Sequence, residues 1–462
     1  MSALWTAETV AEATGARVAG DWVASGVSID TRTLSPGDLF VALEGPNRDG
    51  HAFVADALQR GAAAAVVART PHGVDDSASL ELVADTQAAL EGLGRAGRRR
   101  STARIVGITG SVGKTGTKEA LRHVLGREGP THASAASHNN QWGVPLSLAR
   151  LPEAASYGVF EMGMNHAGEI RALTAQVRPH VALITTVGPA HLENFASVAE
   201  IADAKSEIFE GLERGGIAIV NRDSEHHGRM HDQAARSRAG KMVSFGRHPE
   251  ADWRLEEAHA GEEHSDVVVV RGGRRIRYRL GVPGEHLVLN SLAVLAATEA
   301  LGADVVRAAG SLADLRASAG RGERRRIALP GGSATLLDES YNANPSSMRA
   351  ALAVLGRTTG RRIAVLGDML ELGPTSADLH AGLAEAVEAA GVDLVFTCGR
   401  DMKRLHDALP KDRRGQHAPD SAALAPALLD ALRPGDAVLV KGSLGSRMAQ
   451  VVTALMGAGP AR

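Results

Sequence analysis

The chain has 462 residues, 44% of them hydrophobic and 52 of them glycine, enough to bury several cores and to divide into about three domains. A net charge of -2 and an aromatic content of 3% supply neither a broad basic field nor stacking platforms, so nucleic acid is not expected as a partner. Cys398 is the single cysteine, which excludes an intrachain disulfide and a cysteine metal cluster and gives no indication of redox chemistry.

The N-terminus lacks a basic segment followed by an apolar core, and no apolar run approaches the roughly 20 residues that span a bilayer, so no membrane span and a cytoplasmic location are expected. Apolar runs at 27–29 and 39–43, a helical pattern at 53–59 and a strand-like run at 62–67 predict a small α/β unit. It ends in a charged helix carrying Arg95, Arg98, Arg99 and Arg100, which reads as a linker. The first boundary is therefore placed at 103, and the expected domains are 1–103, 104–318 and 319–462.

Residues 105–119, Ile-Val-Gly-Ile-Thr-Gly-Ser-Val-Gly-Lys-Thr-Gly-Thr-Lys-Glu, predict a β-branched strand, a glycine turn and a helix start. Successive backbone N–H groups of Gly110, Ser111, Val112, Gly113, Lys114, Thr115 and Gly116 would face phosphate oxygens at a positive helix N-terminus. Lys114 and Thr115 would then meet the terminal phosphates of ATP and Mg2+. The strict phosphate-loop pattern needs glycine where Ile108 stands, so the match is to its core, Gly-x-x-Gly-Lys-Thr. The plainer alternative is a glycine-rich turn with an exposed lysine.

Runs at 105–109, 157–160, 181–187 and 217–220 alternate with helical patterns and predict a mostly parallel sheet. Ligands of such sheets gather beyond the carboxyl ends of the strands, where Glu161 and His191 would join the phosphate turn. A carboxylate at Glu161 suits a hard, oxygen-seeking Mg2+, or it caps the next turn; His191 alone is weak evidence, because histidine is an atypical Mg2+ ligand. The helical pattern 198–212 puts Lys205 within its apolar stripe. A buried ammonium must snorkel, pair with an acid such as Glu161 or Asp203, shift its pKa, or be chemically changed; neutral lysine can capture carbon dioxide as a carbamate whose oxygens bind a second Mg2+.

Between 241 and 280 the texture changes to alternating strands, with a hairpin at Arg271-Gly272-Gly273-Arg274. A helix at 290–300 follows, and then a glycine and arginine cluster at 320–326 that reads as a second hinge. Strands at 335–337, 363–366, 394–397 and 437–440 predict a doubly wound third domain with no G-x-G-x-x-G turn, so a nicotinamide cofactor is not supported.

Together, Gly-Ile-Thr-Gly-Ser-Val-Gly-Lys-Thr at 107–115, Glu-Met-Gly-Met-Asn-His at 161–166, His191-Leu-Glu and Ala204-Lys205-Ser-Glu-Ile-Phe resemble the Mur ligase family of cell-wall peptide synthetases. Further segments are similar to those family members that add D-alanyl-D-alanine to UDP-N-acetylmuramoyl-tripeptide. These are Ser-Ile-Asp-Thr-Arg at 28–32, Asp-Gly-His at 49–51, His-Asn-Asn at 138–140, Asp-Glu-Ser-Tyr-Asn-Ala-Asn-Pro at 338–345 and Val-Leu-Gly-Asp-Met-Leu-Glu-Leu at 365–372.

The resemblance implies an α/β protein of three domains: a small α/β UDP-sugar domain, a central P-loop domain with a mostly parallel sheet and a β-rich portion, and a Rossmann-like C-terminal domain that receives the dipeptide. It implies an acyl-phosphate mechanism, ATP with two Mg2+ ions, and a chain acting as a monomer. Lys114, Glu161, His191 and Lys205 are the implied catalytic residues, and Thr115, Glu161, His191 and carbamylated Lys205 the implied metal ligands. Asn290, Asp338, Asn342 and Asn344 fall where the family contacts adenine and ribose. Ser28, Arg32, Asp49, Gly50 and His51 fall in the UDP-sugar region, and Asn139 and Asn140 in the central substrate segment.

Two positions depart from the wider family: Leu287 stands where asparagine is common, and Leu444 where arginine is, with Arg447 a candidate for the missing charge near the incoming carboxylate. Rival readings are a ligase with another acceptor, including a folylpolyglutamate synthase, and a nucleotide-gated switch that makes no amide.

Overall fold

The computed structural model describes residues 3–17, 20–75, 78–135, 137–190 and 192–457. Three α/β units follow one another along the chain, as the fold class anticipated. The first is a four-stranded parallel sheet ordered Gly26–Ser28, Asp38–Val41, Ala64–Val67, Leu80–Leu82. The central unit is a nine-stranded sheet. Its strands Thr131–Ala133, Tyr157–Glu161, Arg104–Thr109, Val181–Ile184, Gly216–Asn221, Ala239–Gly246 and Trp253–Ala260 pair in parallel. Ser265–Arg271 and Arg274–Leu280 then add the antiparallel hairpin expected at 271–274.

The side-chain period of two explains why these strands read as continuous apolar runs: alternate residues enter cores on opposite faces. Val106 and Ile108 pack with Leu121, Val124, Leu292 and Leu295 on one face, while Ile105, Phe160 and Ile184 pack with Ile170, Leu173, Ile201 and Phe209 on the other. The third unit repeats the scheme around a six-stranded sheet, with Ala364 and Leu366 facing one core and Ile363 and Val365 the other.

The chain leaves Arg104–Thr109 toward Thr131–Ala133 on one side and returns to Val181–Ile184 on the other, so the sheet reverses its winding at that strand. Such a switch point opens a crevice at the carboxyl ends of the strands.

Four expectations need correction. Residues 95–100 are the last turns of the helix Thr86–Arg100, which is docked against the central unit. Buried Arg98 donates through Nε to Val177 O at 2.8 Å and through NH2 to Arg178 O at 2.9 Å, and Arg100 donates to Leu4 O at 2.6 Å. A Cβ at Gly97 would collide with Leu148 O, so glycine there permits the helix to lie against Gly143–Ala149. The helical pattern 198–212 is an α-helix only over Val198–Ser206 and tightens to a 3-10 turn at Glu207–Gly211. The helix expected at 290–300 begins earlier, at Glu285. The glycine and arginine cluster at 320–326 is only partly a turn: Gly320 and Gly322 have φ of 71° and 93°, but Glu323–Leu329 is a strand antiparallel to Gly332–Glu339. Charge density suggested mobile segments, whereas backbone carbonyls and a strand partner immobilise these arginines.

His132 ties the edge strand Thr131–Ala133 to the helix Gly143–Ala149, with Nε2 2.8 Å from Ser147 O. Burial lowers its pKa from 6.5 to about 4, a shift opposed by that bond and aided by Arg150. Below about pH 6.5 the unfolded chain binds a proton that the folded imidazole refuses until about pH 4. Its stabilisation is thus full above pH 6.5 and is lost as the pH falls toward 4. Urea unfolding at about pH 7 and about pH 5 should show wild type losing more stability than His132→Gln; equal losses would contradict this.

Candidate active site

The strand Arg104–Thr109 ends at Gly110, and the helix Lys114–Leu125 begins after Gly113, whose φ is 86°. The turn is fixed from the neighbouring strand end. Ser111 N donates to Thr186 O at 2.8 Å, Ser111 Oγ to Gly188 O at 2.9 Å, and Thr185 Oγ1 to Val112 O at 2.6 Å. The first helical bond is Thr117 N to Gly113 O, so the N–H groups preceding it at the helix start, with the glycine turn, make an anion cradle. Lys114 Nζ lies over this turn, donating to Gly110 O at 2.7 Å. Its pKa is lowered by burial; Glu161 opposes the shift and Arg321 adds to it.

Glu161 closes its strand as expected, and it is 1% exposed. Thr115 Oγ1 donates to its Oε2 at 2.8 Å, and Asn139 Nδ2 to its Oε1 at 2.8 Å. Three site candidates therefore meet as a set of hard oxygen and amide groups suited to a divalent magnesium ion. Lys205 is 1% exposed, and burial, followed by the charge of Lys114, pushes its pKa well below the usual range. Neither acid considered for it is its partner: Asp203 pairs with Arg229 at 2.7 Å, and Glu161 is held by Thr115 and Asn139. Burial and the Lys114 charge both favour the neutral, nucleophilic form of this amine.

His191 lies outside the described residues. Asn290 backs the phosphate turn, its Nδ2 standing 2.5 Å from where a Cβ on Gly113 would be. Buried Asp338 accepts from Ser340 Oγ at 2.6 Å, and Asn342 O accepts from Lys441 Nζ at 2.9 Å. Asn344 caps the helix Pro345–Leu355 through a reciprocal bond with Ser347. This loop comes near the cradle where Ser346 Oγ lies 3.6 Å from a Cβ placed on Gly188, the residue bonded to Ser111.

In the first unit, Arg32 and Gly50 line a cavity of about 580 Å³ together with Asp30, Arg48, Phe53, His138, Trp142 and Arg150. Ser28, Asp49 and His51 shape it from behind. Ser28 Oγ donates to Asp30 O at 3.0 Å. His51 spends both ring nitrogens, Nδ1 at 2.7 Å from Asp49 Oδ1 and Nε2 accepting from Ala68 N at 2.8 Å. Asn140 is a turn former whose Oδ1 accepts from Gly143 N at 3.0 Å.

Three contributors escaped the sequence reading as site residues. Lys118, wholly buried one turn after Lys114, donates to Ser134 O at 2.7 Å and anchors the segment that carries Asn139. Trp142 lines the first cavity, a position no local pattern marks. Arg321, from the expected hinge, bonds Ser137 Oγ at 2.9 Å, stacks 4.1 Å over the Tyr341 ring and lies close enough to Lys114 to lower its pKa. The glycines around it drew attention to backbone freedom and away from its guanidinium.

Models of three families match the chain: "Mur ligase family, catalytic domain" over residues 23–92, "Mur ligase middle domain" over 108–298, and "Mur ligase, glutamate ligase domain" over 320–444. The UDP-N-acetylmuramoyl-tripeptide--D-alanyl-D-alanine ligase of Escherichia coli (strain K12) is 37% identical over 431 residues, 93% of each chain. That of Bacillus subtilis (strain 168) is 32% identical, covering 94% of this chain and 93% of the relative. Among solved structures, MurF from Acinetobacter baumannii superposes with a TM-score of 0.85 at 30% identity, covering 98% of this chain and 99% of that one. MurF ligase from Thermotoga maritima in complex with ADP gives 0.78 at 27% identity, with 94% and 97% covered.

The cradle depends on its left-handed glycine. Gly113→Ala should weaken ATP binding by about tenfold or more, through backbone strain and collision with Asn290. Equilibrium binding of a fluorescent ATP analogue checks this, and an unchanged Kd would refute it.

Proposed function

The chain belongs to the Mur ligase family, and on that footing we propose that it joins D-alanyl-D-alanine to UDP-N-acetylmuramoyl-tripeptide while ATP is cleaved to ADP and phosphate. It is an ATP-dependent ligase of peptidoglycan precursor synthesis. The observation that carries the reading is the meeting of Lys114, Thr115, Glu161 and Asn139 at one sheet edge, with Lys205 in the field of Lys114. The segment holding Asn139 begins beside His138, which lines the first cavity, so a substrate anchored in that cavity is led toward the phosphate turn.

We assign the UDP-sugar end to 1–103, ATP to 104–318, and closure over the nucleotide with dipeptide capture to 319–462. A carboxylate is a poor electrophile, and it is repelled by the γ-phosphate that must activate it. Phosphoryl transfer gives an acyl phosphate; the dipeptide amine then attacks the acyl carbon, the C–O bond to phosphate breaks, and phosphate leaves. Lys114 and the turn amides hold the phosphates, and Arg321 adds charge from the third unit as the domains close.

Thr115 and Glu161 fit Mg2+ by donor type, His191 would be a further ligand, and Lys205, as a carbamate, would serve a second Mg2+. Bound there, the metal would neutralise charge between the two anions. No described helix is long and apolar enough to cross a membrane. The same reading places the reaction in the cytoplasm, carried out by a single chain.

Phosphate release should require both UDP-N-acetylmuramoyl-tripeptide and D-alanyl-D-alanine. ATP hydrolysis indifferent to the dipeptide would instead favour a nucleotide-gated switch. Lys205→Ala should lower kcat by at least about a thousandfold, and short-chain carboxylic acids added to the assay should restore part of it. Full activity in the variant would remove Lys205 from the mechanism.

A further inference from the structure

Lys118 is wholly buried, yet it lies outside the phosphate turn and does not line the first cavity. It follows Lys114 by four residues on the helix Lys114–Leu125, so the two lysines share one helix face. Lys114 Nζ turns back to Gly110 O, whereas Lys118 Nζ leaves the helix and donates to Ser134 O at 2.7 Å, with Glu119 Oε1 3.0 Å away. Ser134 is itself buried, and its N–H donates to Val159 O at 3.1 Å in the strand that ends at Glu161. Burying an ammonium is costly, so a fold that needed only a filled space at this position would be better served by an apolar side chain. The lysine supplies something more: a charged donor that fixes one buried carbonyl.

That carbonyl leads to the metal-ligating groups. Five residues on from Ser134, Asn139 is held against the segment that follows Glu161: Gly163 N donates to Asn139 O at 2.7 Å. A Cβ on Gly163 would come within 2.9 Å of Asn139 Cγ, so the asparagine amide packs where only glycine leaves room. Asn139 Nδ2 donates to Glu161 Oε1, and Thr115 Oγ1 to Oε2, both at 2.8 Å. An ionised carboxylate offers about four acceptor positions, so about two stay open, and the places of the two donors decide where those face. Thr115 is placed by the start of its helix, and Asn139 by the stretch that Lys118 anchors. One helix therefore sets both donors, the first directly and the second through Ser134.

We propose that Lys118 is a positioning residue for the magnesium site, acting through Ser134 and Asn139 to aim the open side of the Glu161 carboxylate. Groups that hold a metal ligand in place account for about ten- to a hundredfold in metal affinity. The assignment rests on the reading of Thr115 and Glu161 as magnesium ligands.

Mn2+ binding to the full chain with ADP, followed by electron paramagnetic resonance of the free ion, reads the metal without turnover. Lys118→Met should weaken Mn2+ binding by about tenfold or more and raise the Mg2+ needed for half-maximal phosphate release by a similar factor. The Kd for ADP without metal should stay within about twofold of wild type. Lys118→Arg, which keeps a charged donor, should regain part of the metal affinity. Asn139→Ala should weaken Mn2+ binding as Lys118→Met does, and combining the two should cost little more, because both act on Glu161 by one path. Unchanged Mn2+ affinity in Lys118→Met, losses that add in full in the double variant, or an equal loss of metal-free ADP binding overturns the assignment. Wild type that binds ADP but no Mn2+ would overturn the magnesium reading, and this one with it.

Discussion

Everything in the central unit is arranged around positive charge held where water is scarce. Half-buried Lys114 and buried Lys205 interact electrostatically, each depressed in pKa, with Glu161 the carboxylate that acts on Lys114 and Arg321 adding to the excess. Taking charged ammonium groups out of water is costly even where, as at Lys114, a carbonyl accepts from the nitrogen, so the fold maintains this arrangement against its own stability. The imbalance is a preformed complement to phosphate and carboxylate groups, because anions entering there are attracted without any reorganisation of the protein. Lowering the Lys205 pKa is the other way the fold relieves the same repulsion, and it favours the neutral amine that reacts with carbon dioxide.

The segment 134–140 distributes that constraint among the three units. Lys118 holds its start through Ser134 O, Arg321 reaches it from the third unit through Ser137, Asn139 fixes Glu161, and Asn140 starts the helix that packs on Thr86–Arg100. His138, in its middle, lines the first cavity. A substrate in that cavity and a nucleotide on the phosphate turn would press on the same short stretch of backbone.

The two glycine and arginine clusters illustrate how similar composition serves opposite ends. At 95–100, Arg98 and Arg100 bond backbone carbonyls across the first boundary, and glycine lets two helices touch, which makes a rigid joint. At 320–326 the glycines turn the chain with positive φ while Arg321 crosses to the central unit and Glu323–Leu329 pairs with Gly332–Glu339.

The sequence by itself determined the phosphate turn, the run of parallel strands and the anomalous lysine, because each is set by local chemistry: glycine's φ range, the period of two, and an ammonium at an apolar position of a helix. It also placed Glu161 at a strand end, since a carboxylate closing an apolar run has few other meanings. Tertiary structure decided which candidates touch. Ser28 and His51 read as substrate-region residues, and the structure shows what holds their polar atoms: the Ser28 hydroxyl bonds Asp30 O, and the His51 ring nitrogens bond Asp49 and Ala68 N. Asn344 belongs first to its helix as a cap. Arg321, Lys118 and Trp142 entered the site only through contacts between segments distant in sequence, and no local period or motif encodes such contacts.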